Sequence, residues 1–265
     1  MNIQYASDLH LEFYKNLVYV KLNINQIFPG GDTLILAGDT LPLSEKNINN
    51  PEIKEIFDYL SNNYNHILCC YGNHEFYSGL DIADVKNKEY SLGYKNISYL
   101  YNDMDVFYTE RGDKVYILIS PLWSYFTDEN LPNLLYDFKV CYYNNKLLTI
   151  EDYQNLYKES VDFIFNTVSE IEDTKHPNDK IIVVTHHSPS LFARNMNYSM
   201  NNLTNYFCND LDSKIRDTNI DYWVYGHTHY NKDIKIESTK IFTNQLGYIN
   251  TELTYLDFRL MQINI

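Results

Sequence analysis

The stretch His66–Glu75, HILCCYGNHE, changes character halfway. Ile67 to Tyr71 are apolar, and Gly72, Asn73, His74 and Glu75 follow without a transition. A short apolar run bounded by Gly and Asn predicts a buried strand that ends in a tight polar turn. The same grammar recurs along the chain. IQYAS (3–7) precedes DLH, DTLILA (32–37) precedes GDT, KIIVVT (180–185) precedes HHSPS, and DYWVY (221–225) precedes GHTH. Helical spacing falls between these runs. Pro51–Asn63 carries Ile53, Ile56, Phe57 and Leu60 on one stripe, and Thr149–Ile171 carries Leu156, Val161, Ile164, Phe165 and Val168 on another. Strands alternating with helices predict a layered α/β fold. KIFTN (240–244) and DFRLMQINI (257–265) predict further strands of a second sheet.

A chain of 265 residues with 45% hydrophobic residues can bury a good core and still be one domain. The least regular part, 121–148, is rich in aromatics and holds two prolines; it reads as an insertion or cap within a single domain spanning 1–265. NNPE (49–52) and SMNNLTN (199–205) read as loops. Nothing approaches 18 consecutive apolar residues, so no membrane span is expected. The start MNIQYASDLH lacks a basic region followed by an apolar one, so no signal peptide is expected. Cys69, Cys70, Cys141 and Cys208 form no C-x-x-C spacing, which points to a reducing compartment and a cytoplasmic location. The formal net charge of −14 repels a phosphate backbone, so stable nucleic-acid binding is disfavoured unless bound cations invert the local field.

Read together, the polar turns hold a series of metal-ligand side chains. Asp8 and His10 follow the first run, Asp39 the second, Asn73 and His74 the third, His186 and His187 the fourth, His227 and His229 the last. Ligands in open α/β sheets gather at the carboxyl ends of strands, so these turns can converge. Oxygen donors mixed with imidazole, and without thiolates, suit Mn²⁺ first, with Fe or Zn²⁺ also fitting, and suit Ca²⁺ poorly. The i, i+2 spacing of Asp8/His10 and of His227/His229 puts each pair on one side of an extended strand end, with Leu9 turned to the core. Asp39 has two carboxylate oxygens and can bridge two ions, while Asn73 adds a neutral oxygen. Two divalent ions outweigh two aspartates and a bridging hydroxide, so the site stays positive and attracts a phosphate ester.

In that order, DLH, GD, GNHE, HH and GHTH resemble the motifs of the calcineurin-like metallophosphoesterases, over residues 5 to about 250. TNQLGY (243–248) is similar to a stretch that follows the last motif in bacterial-type members. The resemblance implies a four-layer α/β sandwich with two metals at one sheet end. It implies that Asp8, His10, Asp39 and His229 hold one metal, and that Asp39, Asn73, His227 and one of His186 or His187 hold the other. It implies a water or hydroxide between the two metals as the attacking group. His187 has the family's spacing to Pro189, whereas His186 directly follows the strand, and that position favours His186. His74 is expected beside the metals, contacting phosphate or protonating the leaving oxygen, with Glu75 orienting it.

Other residues keep two readings. His187 and Arg194 are candidates for substrate contact, Arg194 equally for plain exposure. Trp123 either packs in the core or lines the cleft, and the strand-like run just before it favours the cleft. The aromatic cap reads as packing rather than a base-stacking platform. Loops 121–148 and 188–206 are expected to set what enters. The leading function is metal-dependent hydrolysis of a small phosphomonoester or phosphodiester. A phosphoprotein phosphatase of the same fold is the alternative, weakened because no arginine lies near Asp39 or His74 in sequence. A silent binding module would have lost ligands, and every ligand position here is filled. A nuclease would carry a basic stripe, which this chain lacks.

Overall fold

The computed structural model describes residues 1–86, 92–126, 128, 130–195 and 204–265. The strands in chain order are β1 (Asn2–Ala6), β2 (Gly31–Leu36), β3 (Tyr64–Cys70), β4 (Ile97–Leu100), β5 (Asp103–Tyr108), β6 (Lys114–Ser120), β7 (Tyr142–Tyr143), β8 (Lys146–Leu147), β9 (Lys180–Thr185), β10 (Tyr222–Tyr225), β11 (Ile234–Ile236), β12 (Thr239–Thr243) and β13 (Gln262–Asn264). One sheet has the order β13-β1-β2-β3-β4 and another the order β11-β12-β10-β9-β6-β5. β1 to β4 run parallel, as do β6, β9, β10 and β12; β13, β11 and β5 are antiparallel edges. KIFTN thus lies in the second sheet as expected. The chain end does not: it pairs antiparallel with β1 and closes the edge of the first sheet.

The strands are nearly continuous apolar runs because both of their faces are covered. Ile3, Tyr5, Ile35 and Leu68 of the first sheet share a buried cluster with Ile117, Ile119, Ile182 and Val224 of the second. On the outer face of the first sheet, the helix Pro51–Asn63 buries the predicted stripe Ile53, Ile56, Phe57 and Leu60. Asn50 caps it, accepting from the Glu52 N–H, and Pro51 opens it. On the outer face of the second, the helix Ile150–Glu172 buries Val161, Ile164 and Val168. Its start is fixed by a capping box between Thr149 and Asp152. The result is a four-layer α/β sandwich, helices outside and two mixed sheets within. A helix at Tyr14–Ile27, weakly amphipathic in sequence, adds Leu17 and Val20 to the outer cover of the first sheet.

The segment 121–148 folds as two short helices, Leu131–Leu134 and Asp137–Val140, and the β7-β8 hairpin. Phe126, Leu131, Phe138 and Leu148 join the same buried cluster as Leu34 and Leu36 of β2. The loop 188–206 includes residues 196–203, which lie outside the described residues, as do Thr127 and Glu129 of the cap. The SMNNLTN reading falls largely there too.

Candidate metal centre

All five predicted turns meet at one end of the two sheets. β1, β2 and β3 deliver Asp8, His10, Asp39, Asn73 and His74 from one side; β9 and β10 deliver His186, His227 and His229 from the other. The geometry that brings them together differs from the extended strand end expected from sequence. Asp8, His10, Asp39, His227 and His229 all have left-handed backbone, with φ of 54°, 47°, 53°, 67° and 46°. Each i, i+2 pair therefore converges through two left-handed residues just past the strand, not through the pleat. Asp and His tolerate this region better than most residues, but each such position costs about 1–3 kcal/mol and persists only where its surroundings over-determine it.

Those surroundings are hydrogen bonds between the turns. The His227 N–H reaches both Asp8 oxygens at 3.1 Å, and the His74 N–H reaches Asp39 Oδ1 at 2.9 Å. The His229 N–H donates to Gln245 Oε1 at 2.6 Å, which ties the TNQLGY stretch to the last turn. Glycine allows the close approach: a Cβ on Gly72 would lie 2.2 Å from Asp39 Oδ1, and one on Gly226 2.6 Å from Asp8 Oδ2.

Two triads built on the aspartates, Asp8–His10–His229 and Asp39–His186–His227, have ligand atoms within 4.8 Å of one another, and a third group with the same spacing, His10–Glu12–His74, adjoins the first. Asn73 Oδ1 stands 3.1 Å from His186 Nε2, beside the second triad. The imidazoles are oriented from behind. His186 Nδ1 faces the Ala37 carbonyl at 3.0 Å, and His229 Nδ1 faces the Glu252 carboxylate at 2.7 Å. Both Nδ1 atoms therefore donate outward, and both Nε2 atoms face the interior of the cluster. There they meet the two aspartate carboxylates and one another. His186 Nε2 lies 3.3 Å from Asp39 Oδ1, His229 Nε2 lies 3.2 Å from Asp8 Oδ1, and His10 Nε2 lies 3.0 Å from His229 Nε2. His227 Nε2 is buried with no hydrogen-bond partner among the described residues. Lone pairs and carboxylates aimed at common points need positive charge between them. A nitrogen-and-oxygen set of this kind fits borderline divalent cations.

Titration behaviour has the same cause. Burial works against a charged His186, yet the Asp39 and Asp8 carboxylates lift it to about 9. Burial likewise opposes a charged His229, and hydrogen bonds to Asp8 and Glu252 lift it to about 10. His227 is held well below its ordinary value by burial and by its neighbours His187 and His186. The pocket thus calls for positive charge next to the aspartates and keeps the His227 ring itself neutral.

Three sequence expectations need correction. His187 does not reach the cavity: it is fully buried, with Nδ1 at the Pro121 carbonyl (3.2 Å) and Nε2 at the Tyr153 hydroxyl (3.1 Å). Burial, then the neighbouring His186, push it down to about 3, so it packs as a neutral core imidazole. Trp123 is also fully buried, its indole N–H donating to the Tyr101 hydroxyl at 2.8 Å, because the chain turns inward after β6 through left-handed Leu122 and Trp123. Glu75 does not orient His74. It accepts from the N–H groups of Gly72 (2.7 Å), Asp39 (2.9 Å) and Thr40 (2.8 Å), and so splices the second and third turns. Burial and the Asp39 charge push its carboxyl up to about 7.

The carboxylate at the His74 ring is Glu12, 3.0 Å from Nδ1, and Tyr248 sits 3.2 Å from Nε2. Burial opposes a charged His74, but Asp39 and Glu12 raise it above its ordinary value. Sequence reading does not single out Glu12, Glu252 or Tyr248. Glu12 was within reach, two residues beyond His10, while Glu252 in NTELT carries no local signal. A cavity of about 840 Å³ opens over the cluster, lined by His74, His227, His229, Arg194, Tyr136 and Phe207 among others. Arg194 is thus on the cavity wall, its guanidinium donating to the Leu191 carbonyl at 3.1 Å.

Comparison with known proteins bears on the same residues. A family model described as calcineurin-like phosphoesterase matches residues 1–231. An uncharacterized mimivirus protein, L509 of Acanthamoeba polyphaga mimivirus, is 32% identical over 279 residues, covering 93% of this chain and 91% of that one. Among solved structures, the phosphopantetheinyl hydrolase of Mycobacterium tuberculosis superposes with a TM-score of 0.60 at 17% identity, over 99% of this chain and 95% of that one. GAP50, described as the anchor in the inner membrane complex of Plasmodium, gives 0.52 at 13%, over 93% and 71%. At those identities the structures speak for the fold. The family match spans every turn of the ligand series, from Asp8 to His229, and this chain belongs to the calcineurin-like phosphoesterase family.

Proposed function

We propose that the protein hydrolyses a small phosphate ester, using two divalent cations held by Asp8, His10, Asp39 and His229 on one side and by Asp39, Asn73, His186 and His227 on the other. The observation that carries this reading is the inward-facing set of imidazole Nε2 atoms gathered around the Asp8 and Asp39 carboxylates, with that of His227 buried and unmatched among the described residues. When bound, such cations supply Lewis-acid charge to a phosphoryl group and make water acidic enough to attack it. The chain's own groups do the rest. Asp39, with an oxygen toward each triad, holds the two positions in register. Glu75 and Gln245 keep the turns from relaxing, and Glu252 keeps the His229 lone pair aimed inward.

His74 lines the cavity and is held by Glu12, with Nε2 turned toward the Tyr248 hydroxyl. Glu12 at its Nδ1 orients the ring to give a proton from Nε2 to a departing alkoxide. Arg194 is placed to meet an anionic part of the substrate, and Leu134, Tyr136 and Phe207 offer apolar and aromatic wall to the alcohol part. That wall, and the charge of −14, favour a small ester over a nucleic acid or a phosphoprotein. No helix among the described residues is long and apolar enough to cross a membrane. The four buried free cysteines support a reducing, cytoplasmic setting.

The test is a substrate panel with Mn²⁺, Fe²⁺ or Zn²⁺ added to stripped protein: p-nitrophenyl phosphate, its bis ester, cyclic nucleotides, nucleotides and a phosphopeptide. Metal-dependent release from one of the small esters is expected. Two bound ions with no turnover of any panel member would overturn the hydrolase reading, and failure to bind metal would overturn the centre itself.

A further inference from the structure

Asn73 presents a problem that its position alone does not solve. An amide has an oxygen end and a nitrogen end of nearly equal size, so packing cannot choose which faces the centre. Only the oxygen end can serve a cation. The choice must come from what touches the other end.

That other end meets Asp137, the first residue of the helix Asp137–Val140 in the segment 121–148. Asp137 is fully buried. Its Oδ1 accepts from Asn73 Nδ2 at 3.1 Å and from the Tyr77 hydroxyl at 2.6 Å, and its Oδ2 accepts from the Tyr206 hydroxyl at 2.8 Å. Asn73 Nδ2 also donates to the Tyr77 oxygen at 2.8 Å. Both amide hydrogens are thus used on the cap side, and Oδ1 is left facing His186 Nε2. Turning the amide over would set its oxygen against a carboxylate oxygen at about the same distance, two acceptors with no proton between them, at a fully buried carboxylate. All three contacts run into Asp137. Burial holds its carboxyl above the ordinary range, and the three donors only lessen that shift.

We propose that Asp137 is a positioning residue: it fixes the Asn73 amide with its oxygen toward the metal centre, so that the cap determines how tightly the cation served by Asn73 is held. This rests on the two-cation reading above. Nothing in the motif series marks Asp137, which sits in LLYDFKV with Lys139 as the other charged residue. A buried carboxylate in such a run, with no basic partner among its contacts, is costly unless it has a job that an apolar residue cannot do. Tying the cap to the core needs no charge there, since Phe126, Leu131 and Phe138 already do it.

The test is direct metal binding, read by calorimetry with Mn²⁺ on stripped protein. Wild type is expected to take two ions. Asp137→Leu removes the acceptor while filling the space, and should weaken one ion by about 10–100-fold, the usual effect of losing a partner behind a ligand. The other ion should bind within about twofold of wild type. Equal weakening of both ions, or none, would overturn the proposal. If Asp137→Leu does not fold, Tyr77→Phe decides: it keeps the ring beside His74 but removes the shortest of the three acceptor contacts of Asn73 Nδ2, at Tyr77, Asp137 and Tyr206. It should weaken the same ion by about 3–10-fold, the worth of one neutral hydrogen bond, and no selective loss would overturn the proposal. Wild-type protein that binds no metal would instead defeat the underlying reading, so the two failures are distinguishable.

Discussion

The strand-end turns and the segment 121–148 line the same cavity but are built by opposite rules. The turns are made by the backbone: left-handed residues directly after strands, glycines that permit contact, and N–H groups spent on neighbouring carboxylates. The cap is made by side chains: two helices of a single turn each and a short hairpin, held by Phe126, Leu131 and Phe138 in the core. A backbone-built turn leaves a functional group little freedom, which chemistry at a metal demands. A side-chain-built cap can exchange its exposed residues without disturbing the sheets beneath, which suits selection of a substrate. The contrast predicts large losses from changes in the turns and small, substrate-dependent changes from the cap.

The largest loss should come from Asp39. It faces both triads, lying 3.3 Å from His186 and 3.9 Å from His10, and it also anchors the His74 N–H. Asp39→Asn should reduce both metal occupancies and bring turnover down by more than about 100-fold, above the usual cost of losing an outer partner. His10→Ala should empty one position and spare the other. Metal analysis at limiting Mn²⁺ separates the two, and an Asp39→Asn enzyme of wild-type activity would remove Asp39 from the centre.

His74 comes next. It touches the cavity but belongs to neither of the triads built on Asp8 and Asp39, so His74→Ala should keep both ions. Its rate should fall by about 10²–10⁴ for alkyl phosphates, whose leaving oxygen needs a proton, and much less for p-nitrophenyl esters. Equal losses for both classes would leave His74 as a contact to phosphate rather than an acid.

The adjacent histidines test whether orientation or sequence position defines a turn. His186→Ala should weaken metal binding by at least about 10-fold, the lower end of what partners behind a ligand are worth. His187→Ala should leave metal binding near wild type and instead lower stability, by about 1–3 kcal/mol, because the Tyr153 hydroxyl and the packing beside Trp123 lose a partner. Thermal melts and metal titrations on both variants decide it; the reverse pattern would put His187 in the centre.

The same contrast explains what is legible in the chain itself. Strand ends are legible, because an apolar run breaking into Gly, Asn, Asp or His is a local signal, and the two long helices announce themselves by spacing and caps. The left-handed turns are not, since Asp and His occur as readily in right-handed ones. The joining of the last strand to the first sheet is a contact between residues 262 apart that no local pattern carries: Asn2 pairs with Asn264. Glu12, Glu252 and Asp137 escape for a related reason. Their work is defined by what lies opposite them in space. Trp123 and His187 mislead because they follow strands as the ligands do, yet turn into the core.

The smallest effect belongs to the cap wall. Tyr136 is more than half exposed, lines the cavity, and rests edge-on against Tyr77 at a ring separation of 5.2 Å. Tyr77 in turn lies over His74 at 4.2 Å, so an aromatic path runs from the cap to the centre. If Tyr136 only meets the alcohol part of the substrate, Tyr136→Ala should raise KM by about 2–10-fold for aryl esters, the worth of one aromatic contact, and leave kcat unchanged. Small alkyl phosphates, too short to touch it, should show no change. Loss of kcat for both classes would mean that Tyr136 acts through Tyr77 on His74 or Asn73, and the cap would then belong to the chemistry as the turns do. Metal affinity, measured on the same variant, closes the remaining route. It should stay at the wild-type value, because Asp137 and Tyr77 still hold the Asn73 amide when Tyr136 is cut back.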